Sequence, residues 1–316
     1  MTELVPKAIA LDKWSLGRLI SLFEDTRAEA APPRAAVLAA LEDQARRQAL
    51  FVGVTGTPGS GKSTLVGELG VRLAARTGER AVAVLAIDPS SHVSGGALLG
   101  DRTRVRFPHD ERRLFFRSQA SDRDLGGVGR GTFQVCRLLR YLFDVVFVET
   151  VGIGQSEVEI QQVADWTYLV LQPLAGDQVQ FMKAGIMEVP DVFVLNKCDQ
   201  TEAAERAYHA LDASLRLARL GRTGPPVIHR TSALSGVGID ILVDEIAAPE
   251  RVPRSMADKE RYFFEKWVRD EYGRVGASRL AAAGGAAALL TPGGFEAAQA
   301  RFQALVDQGR SATTSA

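Results

Sequence analysis

Two different spacings of apolar residues divide the chain. Among the first fifty residues Leu16, Leu19, Ile20 and Phe23 recur at helix spacing, and beyond Pro32 and Pro33 a second stretch puts Val37, Leu38, Leu41 and Ala45 on one face. From Leu50 onward the pattern changes to short, continuously apolar runs: Phe51 to Thr55, Ala81 to Ile87, Leu114 to Arg117, Val145 to Val148, Tyr168 to Leu171, Val192 to Leu195 and Val227 to Thr231. Runs apolar on both sides, separated by helix-length segments, predict an α/β fold with a mainly parallel sheet covered on both faces. Past about Pro249 the strand signal stops. Phe263, Phe264, Trp267, Val268 and Tyr272 then give one aromatic helix face, followed by an Ala-rich stretch from Ala277 to Leu290 and a last helix through Phe302 and Leu305. The expected organisation is an N-terminal helical extension over 1–49, an α/β domain over 50–248, a C-terminal helical region over 249–310 and a disordered tail over 311–316.

Charge and cysteine content narrow the function classes. The 38 Lys and Arg balance 38 Asp and Glu, which argues against nucleic acid or an acidic membrane as partner, since both are met with a basic excess. Two cysteines, Cys136 and Cys198, are too few for a disulfide framework or a Cys-rich metal site. The N-terminus lacks the order of a signal peptide, and no apolar stretch approaches a membrane span, so a cytoplasmic location is expected.

The chemistry sits at strand ends. Gly56-Thr57-Pro58-Gly59-Ser60-Gly61-Lys62-Ser63-Thr64 follows the strand at Phe51 to Thr55 and opens a helix predicted from about Ser63 to Arg76. Strand, glycine loop and helix start are the context of a P-loop. The glycines let backbone N–H groups converge on phosphate oxygens, and the helix N-terminus favours an anion. Lys62 supplies a positive charge to the outer phosphates, and the Ser63 hydroxyl ligates magnesium. Glu149 closes the strand Val145 to Val148 and can hold that metal through water, while Gly152, three residues on, can offer its N–H to a γ-phosphate. Asp88 and Asp101 can also reach the metal or its waters, but an Asp before proline equally marks a turn, and Asp101 equally caps a short helix. Gln155 and the arginines 102, 104 and 106 are candidates to place water or charge.

A second motif selects the base. Val192 to Leu195 runs into Asn196-Lys197-Cys198-Asp199. The Asp199 carboxylate can accept hydrogen bonds from guanine's ring N–H and exocyclic amine, a pair adenine does not offer. The Lys197 stem can lie along the base, and Asn196 can tie this loop to the phosphate loop. A site of such bonds rejects a base that leaves them unmade. Ser232, Ala233 and Leu234 follow another strand, where a backbone N–H can read the guanine carbonyl. The expected ligands are GTP or GDP with magnesium. Cys198 fills the motif's free position as a small passive residue, and Cys136 reads as core.

In combination with Ile87-Asp-Pro-Ser-Ser, Gly95-Gly-Ala-Leu-Leu-Gly-Asp-Arg-Thr-Arg, Glu149-Thr-Val-Gly-Ile-Gly-Gln-Ser-Glu and Gly176-Asp-Gln-Val-Gln-Phe-Met-Lys-Ala-Gly, these motifs closely resemble the MeaB/ArgK-type GTPases. That family holds the chaperones of adenosylcobalamin-dependent acyl-CoA mutases and the methylmalonic aciduria type A protein. The likeness runs from about Trp14 to about Ile246. It implies a metallochaperone-type P-loop GTPase domain and a homodimer whose C-terminal region is a candidate for dimerisation. It implies Asp88, Asp101 and Glu149 in the magnesium and switch apparatus. It also implies a partner-sensing switch over Gly176 to Gly185 that includes Asp177, Gln178, Gln180 and Lys183. The partner would be the cobalamin-binding subunit of an acyl-CoA mutase, with an adenosyltransferase as a further candidate. GTP hydrolysis, slow alone and stimulated by the mutase, would gate cofactor loading and damaged-cofactor removal. The scattered His92, His109, His209 and His229, without a Cys-x-x-Cys, imply that this chain carries no cargo metal itself, and the resemblance implies that it binds no cobalamin alone. Two alternatives stand beside this: a small-molecule or protein kinase on the same scaffold, disfavoured by the guanine motif, and a nucleotide-gated binding module with incidental hydrolysis.

Overall fold

The computed structural model describes residues 1–45, 47–88, 105, 107–108, 110–120, 128–150, 156–173, 190–199, 201–218, 226–248, 253–291 and 293–314. Helices α1 (Val5–Ile9), α2 (Lys13–Glu24) and α3 (Ala31–Gln44) form the N-terminal extension. Asp12 caps α2 by accepting from the Ser15 N–H at 2.8 Å and its hydroxyl at 2.6 Å. Pro32 and Pro33 fall in the first turn of α3, where a missing N–H forfeits no helical bond.

Seven strands follow: β1 (Leu50–Gly56), β2 (Val82–Asp88), β3 (Leu114–Ala120), β4 (Val145–Thr150), β5 (Trp166–Leu171), β6 (Val192–Leu195) and β7 (Ile228–Arg230). They lie in the order β3-β2-β4-β1-β5-β6-β7, and every pairing is parallel. The expected "mainly parallel" sheet is thus parallel throughout its described strands. β3 continues past Arg117 to Ala120 because it pairs with β2 along its whole length. Helices α4 (Lys62–Thr77), α5 (Arg130–Leu139), α6 (Ser156–Val163), α7 (Thr201–Ala218) and α8 (Ile239–Ala247) connect the strands. β1 sits between β4 and β5, so chain segments leave it in opposite directions and a crevice opens at its C-terminal end.

Alternate residues along the strands feed two separate cores. Leu50, Val52, Val54, Val82, Val84 and Phe147 pack with Leu65 and Leu69 of α4 and with Leu242 and Val243 of α8. Phe51, Ala83, Leu85, Val146 and Val148 face the other way, toward α5, the N-terminal helices and the C-terminal helices. A smaller core sets Leu169, Leu171, Phe193 and Leu195 against Leu211 and Leu215 of α7.

The C-terminal region comprises α9 (Met256–Ala282), kinked at Gly273, α10 (Gly285–Leu290) and α11 (Gly294–Thr314). Its aromatic face points inward. Phe263 stacks on Phe133 of α5 at 4.1 Å between ring centroids, and Phe264 meets Phe295 and Phe302 edge-on. Such pairs add about 0.5–1.5 kcal/mol each beyond the area they bury. Helix α11 runs to Thr314, so it occupies most of the 311–316 segment expected to be disordered.

Buried charges tie both appendages to the domain. Arg137 of α5 bonds to Glu296 of α11, to Glu260 of α9 at 3.1 Å and to Gln134 at 2.8 Å, and Arg34 of α3 lies 3.8 Å from Glu296. Burial pushes the Glu260 carboxyl up, with Arg137 opposing. At the opposite edge from the crevice, Asp165 accepts from Lys259 of α9 at 2.6 Å, from the Arg254 N–H at 2.9 Å and from the Phe51 N–H at 2.7 Å. Glu24, ending α2, accepts from Arg117 and, at 3.0 Å, from Gln119 of β3. Among the described residues, no helix is long and apolar enough to cross a membrane.

Candidate functional site

The phosphate loop lies in the crevice at the end of β1. Gly56 has φ +142°, and a Cβ there would stand 2.0 Å from the Val170 carbonyl oxygen of β5, so only glycine passes. The turn delivers Lys62 to the first position of α4, with Gly61 as its N-cap at φ +86°. The Lys62 side chain is buried and folds back over the loop, where Nζ donates to the Gly56 and Thr57 carbonyls at 3.0 Å each. The hydroxyls of Thr57 and Ser60 are buried with no hydrogen-bond partner among the described residues. A loop of positive φ, a lysine and orphaned hydroxyls suits an anion rich in acceptor oxygens.

Beside it, the Ser63 hydroxyl donates to Glu149 Oε1 at 2.7 Å, both groups buried. Glu149 is the penultimate residue of β4, which lies between β1 and β2, and pairs with Val54 on one side and Ala86 on the other. Asp88, at the end of β2, is buried and accepts from Ser118 of β3. One hydroxyl and two carboxylates, all oxygen donors, fit magnesium rather than a softer metal. The Thr150 hydroxyl donates to that of Thr55 at 3.1 Å, linking the two central strands below the site.

The base motif is built on β6 and locked to the phosphate loop. The Asn196 amide donates to the Ser60 carbonyl at 2.8 Å, while its Oδ1 accepts from the Thr231 hydroxyl at 3.2 Å and the Ala233 N–H at 3.1 Å. One buried side chain therefore joins three loops. Gly61 makes this approach possible, because a Cβ there would come within 2.6 Å of the Asn196 amide nitrogen. Asp199 Oδ1 accepts from the Ser232 hydroxyl at 2.9 Å, which holds the carboxylate in the cavity wall. Lys197 has φ +63°, an uncommon conformation for a residue with a side chain. The Cys198 N–H donates to the Thr231 carbonyl at 2.9 Å and its thiol to the Leu195 carbonyl at 3.1 Å; burial pushes that thiol up. It holds the loop and offers no thiolate.

A cavity of about 270 Å³ results, lined by Gly61, Thr64, Asn196, Lys197, Asp199 and Ser232 to Leu234, with Gln172 and Pro173 completing the wall. The sequence reading brought eight of these together but missed Gln172 and Pro173. Their only signal is position, just past a parallel strand on the ligand-binding edge of the sheet. The expectations placed on Asp101, Gly152, Gln155, Asp177, Gln178, Gln180 and Lys183, and on the arginines 102, 104 and 106, lie outside the described residues.

The chain matches the family described as methylmalonyl-CoA mutase-associated GTPase MeaB over residues 16–270. A Mycobacterium tuberculosis protein named "Probable GTPase" is 39% identical over 246 residues, covering 76% of this chain and 72% of that protein. The "Methylmalonic aciduria type A homolog, mitochondrial" of Caenorhabditis briggsae is 42% identical over 149 residues, 47% of this chain and 36% of the homolog. Among solved structures, one titled as a LAO/AO transport system kinase superposes with a TM-score of 0.61 at 24% identity, over 96% of this chain and 97% of that one, a likeness of fold.

Proposed function

The chain belongs to the MeaB family of methylmalonyl-CoA mutase-associated GTPases and is itself a GTPase; from that premise we propose that it is the GTP-hydrolysing chaperone of an adenosylcobalamin-dependent acyl-CoA mutase. In this reading its nucleotide cycle gates cofactor loading onto the mutase and removal of damaged cofactor. The observation that carries the reading is Asn196, which bonds to the phosphate loop and the base-reading loops at once. Nucleotide identity and phosphate state are then sensed by one connected structure.

Residues 56–64 cradle the triphosphate, with Lys62 leaving the Gly56 and Thr57 carbonyls for the β- and γ-phosphates. Asp199 and the Ala233 region read the guanine edge, and Lys197 lies along its face. Ser63, Asp88, Asp101 and Glu149 are the proposed magnesium ligands, directly or through water. When bound, magnesium would supply positive charge beside the phosphates to offset the negative charge that develops during γ-phosphoryl transfer. Gly152 closes on the γ-phosphate, Gln155 is the proposed water-positioning group, and release of phosphate frees the switch segments. Asp177, Gln178, Gln180 and Lys183 are the proposed contacts to the mutase's cobalamin-binding subunit. We further propose a cytoplasmic homodimer, joined through its C-terminal region, that holds no cobalamin of its own.

Steady-state phosphate release from GTP and ATP, with and without that mutase subunit, tests the proposal. Slow, guanine-selective turnover that rises with the subunit is expected. GTPase turnover indifferent to every candidate mutase, with partner affinity that still depends on the nucleotide, would leave a binding module instead. Phosphate transferred to an acceptor other than water would make the protein a kinase.

A further inference from the structure

Asp199 and Asn196 are fixed by hydrogen bonds from their own neighbourhood, whereas Lys197 needs an anchor from elsewhere. Its backbone is in the left-handed region at φ +63°, its side chain is exposed, and a free lysine stem has many rotamers to lose on ordering. A stem that flexible makes a poor wall for a flat base, since binding would have to order it first.

The anchor comes from the neighbouring strand. Leu171 and Leu195 are paired in the β5–β6 register, and the Asn196 N–H donates to the Leu171 carbonyl at 2.8 Å. The ladder therefore carries Gln172 out of the sheet beside Asn196 and Lys197. There Lys197 Nζ donates to Gln172 Oε1 at 3.1 Å, and both residues line the cavity that holds Asp199 and Ala233. Gln172 is half-buried and supplies the acceptor oxygen that holds the ammonium.

We propose that Gln172 is a positioning residue for nucleobase binding, holding the Lys197 ammonium so that the lysine stem forms a pre-set face of the base slot. This rests on the guanine-site reading above and adds a residue that acts through Lys197 rather than touching the base edge. The two kinds of contact leave different signatures. Asp199 reads the groups on the edge of guanine and separates it from hypoxanthine, which lacks the exocyclic amine. A stem lying on the ring face meets both bases alike.

Equilibrium titration of the full chain with GDP, IDP and ADP, for the wild type, Q172L, Q172E, K197M and the Q172L/K197M double variant, tests the proposal. Q172L removes the acceptor at similar volume, and its affinities for GDP and IDP should fall by the same factor of about two to five, the worth of one ordinary hydrogen bond. Q172E keeps an acceptor and should restore wild-type affinity. In the K197M background the Q172L change should cost nothing further, which a merely structural role for Gln172 would not produce. Thermal unfolding of each variant accompanies the titrations, and Q172A replaces Q172L in the cycle should the leucine lower the melting temperature. Unchanged affinities in Q172L, a loss confined to GDP, or fully additive losses in the double variant would each overturn the proposal. A wild type that binds ADP as well as GDP would sink the guanine-site reading itself, an outcome visible before any variant is compared.

Discussion

Gly61→Ala should break two sites with one methyl group. At φ +86° an alanine pays the left-handed penalty, about 1–2 kcal/mol. Its Cβ would also stand 2.6 Å from the Asn196 amide nitrogen, where no real contact is tolerated. The amide cannot simply swing aside, because its bonds to Ser60, Thr231 and Ala233 hold it from three directions. Giving up one buried bond of that kind costs about 1–3 kcal/mol, so the total loss of stability should be about 2–5 kcal/mol. Gly59→Ala is the internal control, since φ there is +77° but nothing lies within 4 Å of the added methyl. Urea unfolding of both nucleotide-free variants, together with Asn196→Ala and the Gly61→Ala/Asn196→Ala pair, isolates the contact. Gly61→Ala should lose about 1–3 kcal/mol more than Gly59→Ala, and that excess should vanish without the Asn196 amide. Equal losses in the two glycine variants would refute the claim that Asn196 bridges phosphate loop and base loop.

Further outcomes follow from the same contacts. Asp199→Asn should weaken GTP binding by about a hundredfold and improve XTP binding, because the new amide donates where xanthine offers a carbonyl; competition titrations read both. Lys259→Met leaves the buried Asp165 carboxylate without its counter-ion and should cost about 3–5 kcal/mol in chemical unfolding. The Glu111 carboxyl, bonded to the Arg113 side chain and N–H, is lowered from the usual 4.5 to about 2. Between those values the folded chain binds fewer protons than the unfolded one, so this group's stabilisation is lost as pH falls through the window. Glu111→Gln should flatten that part of the acid limb in a pH series of urea midpoints. The Cys136 thiol, pushed up to about 12 by burial, should resist alkylation in the folded protein and react only on unfolding, as counted by mass spectrometry.

What the sequence reveals follows the distance over which information is written. The phosphate loop and Asn196 to Asp199 are contiguous, and their chemistry is legible because each residue's neighbours in sequence are also its neighbours in space. Glu149 is legible one level up, as the carboxylate where an apolar strand must end. Gln172 carries no local signal; only the register that sets Leu171 beside Leu195 brings it to Lys197. The inward aromatic face of α9 shows its partners only once Phe133 of α5 and Phe302 of α11 are seen against it. Likewise Arg34, Arg137 and Glu296 look like surface charges until both ends of the chain are placed on one side of the sheet. Apolar runs fix which segments are strands, but the order β3-β2-β4-β1-β5-β6-β7 is decided by packing.

The same arrangement has a consequence for how the molecule is made. Translation delivers the N-terminal helices and α5 long before α11, so half of the larger core waits for its cover while synthesis continues. Arg137 emerges from the ribosome 159 residues ahead of the carboxylate that completes its buried network. Until Glu296 and Phe302 arrive, Phe133 and the neighbouring aromatics face solvent as an adhesive surface on a nascent chain. A premature stop just before Glu296 would therefore leave the nucleotide motifs intact and the protein a client for chaperones and proteases.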